Sequence, residues 1–353
     1  MKKVVVGVSG GVDSSTVLAM LTNQGYEVVG VTLVMQHGDV AVPHPDEIKR
    51  AQQICSDLGI RHIVKDVSQE FKQHVVDVFL DEYEVGRTPN PCILCNEYIK
   101  FAALESVRID LSFDFIATGH YASLLFDSSN PKRAFVGQAK DPLKDQSYFL
   151  YRVSPDILGH CLFPLSNYNK DQTRATAKHL HLQSFNVKDS TGVCFAANGD
   201  YRQLVRDKRP SMLVPGPIVS TDGEILGMHN GCANYTYGQR KGLGLGGGPW
   251  FVVGIDVTTH TVTVKHAEFP LTNHLKLYNP VVWCDLPLQG AFFDVQTRYH
   301  LPLQKAFVTP QQDSNATTFL NIDLCDSHEV FACPGQSCVL LRDGFVYGGG
   351  FIA

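Results

Sequence analysis

The chain has 353 residues, 44% hydrophobic and 18% charged, with a formal net charge of −5. That length buries a core in each of two or three domains, and the ordinary balance excludes a long disordered or fibrous chain. No apolar run is long enough to cross a bilayer, and glycines and an aspartate interrupt the N-terminal valines too early for a secretory leader, so a cytoplasmic protein with no membrane partner is expected.

The first elements alternate in period. Val4–Val8 reads as a buried parallel strand, Ser14–Asn23 as a helix stopped at Gly25, and Glu27–Met35 as a second strand. A helix over Asp46–Leu58 follows, with Ile48, Ala51, Ile54 or Cys55, and Leu58 on its apolar face, closed by Gly59. Arg61–Val67 is a third strand, and another runs from Phe113 into Thr118-Gly119-His120. Strands separated by helices predict an α/β fold, a doubly wound and mostly parallel Rossmann-like sheet whose ligands sit at the carboxyl ends of its strands. Both Ser9–Ser15 and Gly119–His120 fall there. Beyond Leu204 the texture turns to short strands separated by Gly, Pro and Asp-Gly turns. We therefore expect an α/β domain over 1–203 and two small β-rich domains, 204–270 and 271–353, with the second boundary near Phe269–Asn273.

The end of the first strand carries "SGGVDSS". A strand, a glycine turn and a helix start gather backbone N–H groups at the positive end of a helix dipole, which suits an anion. Gly10 and Gly11 permit close approach, and Ser9, Ser14 and Ser15 add hydroxyls. A Walker loop would place a lysine here, whereas this one has Val12 and Asp13. A carboxylate beside phosphates implies a bridging Mg²⁺. The bland reading is a turn capped by Asp13 or Ser14. The loop resembles the PP-loop of ATP pyrophosphatases, which cleave ATP between the α- and β-phosphates and transfer AMP.

Ten cysteines in a cytosolic chain of this size are expected to be mostly reduced. Cys55, Cys161, Cys232, Cys284 and Cys325 read as packing residues, and the "CPGQSC" pair, Cys333 and Cys338, as structural. Two stretches stand apart. "GRTPNPCILCNEYIKF" (Gly86–Phe101) is forced into extended backbone by Pro89 and Pro91 and carries Cys92 and Cys95. "KDSTGVCFAANGDYRQL" places Cys194 after a Ser-Thr-Gly turn.

In order along the chain, "GVSGGVDSS", "GRTPNPCILCNEYIKF", "ATGHY", "KDQSYFLY", "DSTGVCF", "GQRKGLGLGG", "TRY" and "PGQS" resemble the tRNA-uridine 2-sulfurtransferase (2-thiouridylase) family from end to end. The resemblance implies a PP-loop adenylation domain, a small central domain and a C-terminal β-barrel, with tRNA lying across all three. It implies ATP and Mg²⁺ as cofactors, and adenylation of the 2-oxygen of the wobble uridine. A persulfide on Cys194 then supplies sulfur, with Cys95 as the second thiol and a Cys95–Cys194 disulfide left behind. Both thiols would need a lowered pKa. Carried over by position, Gly7, Val8, Ser9, Gly10, Gly11, Val12, Asp13, Ser14, Leu33 and Gly119 meet the nucleotide. Asn90, Pro91 and Cys92 meet the target base. His120, Lys144, Asp145, Gln146, Arg298, Tyr299 and Gln336 meet the tRNA. The partners implied are tRNAs for Lys, Glu and Gln and a sulfur-donor protein, either a cysteine desulfurase or a sulfur relay protein; a monomer is the default.

One position departs from the family: Cys92 stands where an aspartate is often found. Either that carboxylate is dispensable, or Cys92 or Glu97 replaces it. The change also creates three thiols, Cys92, Cys95 and Cys194, and with them the alternative of an iron–sulfur-cluster-dependent thiolase. Two readings compete from further away. Another PP-loop ligase would leave the two cysteine motifs unexplained, and an RNA-binding or zinc-stabilised module with a dead loop is at odds with the intact Ser9, Gly10, Gly11, Asp13 and Ser14. The net charge offers no global footprint for RNA, so a local basic face would have to carry it.

Overall fold

A computed structural model of the chain describes residues 1–37, 40–187, 192–196, 200–268, 270–325 and 329–353. They divide between two compact units, the first within 1–75, 92–195 and 341–348, the second within 76–91, 196–340 and 349–353.

The first unit contains β1 (Lys3–Gly7), β2 (Glu27–His37), β3 (Val40–Val42), β4 (Arg61–Asp66), β5 (Phe115–Ala117), β6 (Ser123–Phe126), β7 (Ala134–Gly137) and β8 (Cys161–Leu162). The parallel order is β4-β2-β1-β5-β8, and β3 turns back antiparallel on the end of β2. β1 is central, with Val5 opposite Val29 on one side and Ile116 on the other. A strand covered on both faces needs no polar alternation, and Val4, Val5 and Val6 are wholly buried. One core joins Val4 and Val6 to Val17, Leu18 and Leu21 of the helix Val12–Asn23, Ile54 and Cys55 of the helix Pro45–Asp57, and Ala177 of the helix Lys170–His179. Each large aliphatic side chain withdrawn from water there contributes about 1.5–3 kcal/mol. The expected doubly wound sheet is present, with both signalled loops at the carboxyl ends of β1 and β5.

In the second unit, β9 (Gly216–Ser220), β10 (Ile225–His229), β11 (Trp250–Asp256) and β12 (Thr261–His266) form a sheet in the order β10-β9-β12-β11. Ile218, Val252, Val262 and Val264 form its core. The strands β13 (His274–Val282), β14 (Ala291–Gln296), β15 (Gln304–Gln312), β16 (Thr318–Leu324), β17 (Ser337–Arg342) and β18 (Phe345–Ile352), the last two running in part through residues 341–348 of the first unit, take the order β13-β16-β15-β14-β17-β18, and β18 pairs back to β13. The sheet is a closed six-stranded barrel, which leaves no free edge. Alternation sends Leu275 and Leu277 of β13 and Leu320 and Ile322 of β16 into its interior. The expected junction before the barrel begins at Phe269, outside the described residues; β13 starts at His274. Among the described residues no helix is long and apolar enough to cross a membrane.

Candidate active site: an uncapped loop and a group of thiols

The loop after β1 is built to leave donors free. Gly10 has φ +78°, and a Cβ there would lie 2.3 Å from the Glu47 carbonyl oxygen, so only glycine fits. Arg50 donates to the Gly10 carbonyl at 3.1 Å and holds the turn from outside. Gly11 is the N-cap of the helix Val12–Asn23, and no side chain caps it. The bland reading, a turn capped by Asp13 or Ser14, therefore fails. Ser14 instead accepts from the Ser9 amide at 3.1 Å and lies 3.2 Å from the Ser9 hydroxyl. The first-turn N–H groups have no intrahelical acceptor. Gly119, after β5, closes against them: a Cβ there would sit 2.8 Å from the Ser14 nitrogen. Val8 and Leu33, also assigned to the nucleotide, are buried, 2% and 9% exposed. A cradle of free N–H groups kept open by two glycines fits a polyphosphate.

Asp13 is placed differently from the expectation. Both its oxygens receive the Lys170 ammonium at 2.8 Å, and Tyr121 donates to Oδ1 at 2.9 Å. In the free chain the carboxylate is thus held by a cation of this chain. Unneutralised, it would oppose a phosphate charge about 4 Å away by about 4 kcal/mol at an effective dielectric of 20.

The thiols lie in the same unit. The extended backbone expected through this segment ends at Pro91: a proline has no N–H to lose at a first helical position, so it opens the short helix Pro91–Leu94, which runs into a π-helical stretch Cys95–Lys100 and then the helix Phe101–Asp110. Cys95 is buried, while Cys92 and Cys194 are exposed. Phe195, packed edge-on against Phe71, anchors the residue after Cys194. Ser190 and Thr191 of the preceding turn lie outside the described residues. Lys100 stands among the three cysteines. Burial draws its pKa down, but Cys95, Cys92 and Cys194 together carry it above the ordinary lysine value. In return its ammonium pulls on Cys95 and Cys194.

That pull does not win. Burial pushes the Cys95 thiol up to about 12; Cys194, an exposed residue whose sulfur is nonetheless crowded by protein, is raised first by that desolvation and then by the charge of Cys92. The expected lowered values are overturned because desolvation exceeds the attraction of one cation. Glu97 is also unavailable as a substitute for the missing aspartate, since the buried Arg152 guanidinium holds it at 2.5 Å. Among the described residues no group of three His, Cys, Asp or Glu side chains is arranged to hold a metal ion.

Loop and thiols are connected through His120. Its neighbour Gly119 touches the loop; its own ring stacks on Phe101 at 5.6 Å, and Thr118 Oγ1 lies 2.8 Å from Nδ1. Burial first, and the Lys100 charge second, depress its pKa to about 3, so the imidazole is neutral. Of "KDQ", Asp145 is turned inward: it accepts from the Ala139 amide at 2.7 Å and the Ser147 hydroxyl at 2.6 Å. The Tyr121 amide donates to Gln146 at 3.0 Å, while Lys144 is half-buried beside it.

The second unit gathers a separate set. Gln336 donates to the Thr88 carbonyl at 2.7 Å, and the Thr88 amide donates to Pro334 at 2.8 Å, so the segment leading to Asn90 and Pro91 is fastened to "PGQS". Arg298 is exposed and acts on Cys333, whose thiol burial pushes up to about 11. Tyr299 stacks on His300 at 3.9 Å. Sequence reading missed Lys100, Tyr121 and Lys170. The first two stood inside quoted motifs without a role, and nothing in "NYNKDQTR" distinguishes Lys170 from a surface lysine.

Two family models match the chain, the tRNA methyl transferase HUP domain over residues 2–198 and the tRNA methyl transferase PRC-barrel domain over 202–266. Full-length relatives carry a different title. The chain is 36% identical to the tRNA-specific 2-thiouridylase MnmA of Acetivibrio thermocellus, over 99% of both chains. It is 39% identical to that of Serratia proteamaculans, over 99% of this chain and 97% of the relative. The protein of Roseobacter denitrificans bearing the same name is 38% identical, over 99% and 94%. The chain belongs to the tRNA-specific 2-thiouridylase family.

Proposed function

We propose that this enzyme replaces the 2-oxygen of the wobble uridine of tRNA with sulfur, in two half-reactions that share one site. The observation that carries the reading is the path from the uncapped loop through Gly119 and His120 to Lys100 and its three cysteines. A phosphate cradle alone would suit many ligases; a cradle joined to a group of thiols around Lys100 suits activation followed by sulfur delivery.

In the first half-reaction the uridine O2 attacks the α-phosphate of ATP. The P–O bond to the β-phosphate breaks, and pyrophosphate leaves toward the N–H groups of the loop. Mg²⁺, when bound, would moderate the charge on the phosphates. In the second, Cys194 carries a persulfide received from a donor protein, a cysteine desulfurase or a relay. The Cys95 thiol loses its proton and attacks Cys194 Sγ, the S–S bond breaks, and hydrosulfide leaves. Hydrosulfide adds to C2, and AMP departs with the original oxygen. A thiol reductant then reopens the Cys95–Cys194 disulfide.

The tRNA-contacting set is assigned to Asn90, Pro91, Cys92, His120, Lys144, Asp145, Gln146, Arg298, Tyr299 and Gln336, with Asp145 shaping its loop from inside. The tRNAs for Lys, Glu and Gln are the proposed substrates, and the working division remains 1–203, 204–270 and 271–353 in a cytoplasmic monomer. Replacing Cys194 by serine tests the division of labour. Thiolation is expected to fall by roughly a thousandfold or more, with tRNA-dependent pyrophosphate release retained. Loss of both, or thiolation that tracks bound iron, would contradict the persulfide route.

A further inference from the structure

The loop lacks the lysine that a Walker sequence carries, yet a lysine stands at it. Lys170 is the first residue of the helix Lys170–His179, which Asn169 caps by accepting from the Gln172 amide at 2.8 Å while the Gln172 side chain accepts from the Asn169 amide at 2.9 Å. This reciprocal cap fixes where the helix begins and therefore where Lys170 leaves it. The helix is seated by Thr173, wholly buried, whose Oγ1 lies 2.8 Å from the Tyr121 hydroxyl. Tyr121 is itself 2% exposed, and its ring lies 6.0 Å beneath the Lys170 ammonium. The ammonium meets Asp13 symmetrically, at 2.8 Å from each oxygen. Asp13 sits in the first turn of the helix whose free N–H groups form the cradle.

An ion pair kept only for stability has no need to stand at the mouth of an anion site. Here the carboxylate is the charge that least suits a nucleotide, and the lysine is the charge that suits it best. Asp13 and Tyr121 determine where the ammonium waits, within the side-chain reach of whatever the loop holds.

We propose that Lys170 is the phosphate cation of this loop, parked on Asp13 in the free enzyme and engaging the pyrophosphate end of ATP when the nucleotide is bound. It neutralises charge that develops on the leaving group as the bond to the α-phosphate breaks, while Asp13 remains beside it as the positioning carboxylate. The role resembles that of a P-loop lysine, but the residue comes from a helix more than a hundred positions later, on the neighbouring element. The inference rests on the adenylation reading above and adds to it the residue that meets the leaving group.

The test is a comparison of product affinities by isothermal titration calorimetry on the full chain, with inorganic pyrophosphate and AMP titrated separately. For Lys170→Met we expect pyrophosphate affinity to fall about tenfold or more while AMP affinity stays within about twofold, and kcat for tRNA-dependent pyrophosphate release to fall about a hundredfold. Lys170→Arg should keep pyrophosphate affinity within a few fold. Because an unpartnered Asp13 could destabilise the single variant, Asp13→Asn with Lys170→Met provides a neutral pair of similar shape. It should recover the melting temperature of the wild-type protein without recovering pyrophosphate affinity. Equal losses of AMP and pyrophosphate in Lys170→Met, or wild-type pyrophosphate affinity in the neutral pair, would overturn the proposal by making the ion pair purely structural. Wild-type protein that binds neither product would instead overturn the adenylation reading on which it stands.

Discussion

The loop and the thiol group lie in one unit and are built from opposite materials. The loop presents backbone: N–H groups that no side chain among the described residues caps, held open by Gly10 and Gly119 where a Cβ would collide. The thiol group is made of side chains drawn from distant positions, in surroundings that oppose a charge on Cys95 and Cys194. A backbone site is preorganised before the ligand arrives and needs no proton to move. A buried thiol is inert until a proton leaves it; at Cys95 burial opposes that loss and Lys100 favours it.

This contrast can be broken at either end. Beyond the loss expected for Cys194→Ser, the next largest effect is expected at the loop. Gly10→Ala places a methyl group against the Glu47 carbonyl and forces a non-glycine residue to φ +78°. A cost of about 1–3 kcal/mol is expected, and ATP affinity should fall by roughly ten- to a hundredfold, measured by equilibrium binding. The thiol steps should respond to pH where the loop does not. With Cys95 raised to about 12, its reactive thiolate is scarce at neutral pH and increases about tenfold per pH unit. Single-turnover sulfur transfer from a preloaded Cys194 persulfide should therefore climb from pH 7 to 9, with pyrophosphate release comparatively flat. Lys100→Met removes the attraction that favours the thiolate, so transfer at pH 7.5 should drop about tenfold further while keeping its upward slope. A pH-independent transfer rate would contradict the charge assignment.

The smallest effect concerns the junction between the two regions. His120 has a folded-state pKa near 3, below its ordinary value of about 6.5. The unfolded chain therefore binds a proton that the folded one refuses, and stability is lost as pH falls from about 6.5 toward 3. In His120→Gln the acid loss over that window should be shallower by up to one proton, read from urea melts at several pH values. Identical slopes would mean that the imidazole is protonated in the fold.

The same contrast explains what could be read in advance. The loop was legible because its chemistry is local: "SGGVDSS" fixes strand end, turn and helix start within a few residues, and the apolar run of β1 fixes where they stand in the sheet. The cysteines were legible as motifs. Their environment was not, because the burial that raises Cys95 and the approach of Lys100 depend on the π-helical turn and on packing against distant segments. Lys170 and Glu97 show the same limit. One is drawn to Asp13 and the other to Arg152 by elements far away in the chain, and no spacing rule links either pair.

The central claim is that the uridine 2-oxygen is activated by AMP before sulfur takes its place. The most direct measurement uses tRNA carrying ¹⁸O at the uridine C2 oxygen, incubated anaerobically with ATP and persulfide-loaded enzyme, followed by mass spectrometry of the AMP released. One ¹⁸O per AMP in the phosphate group, formed in step with 2-thiouridine, is the predicted result. AMP without the label, with thiolation proceeding, would show that the oxygen leaves by another route and would contradict the account.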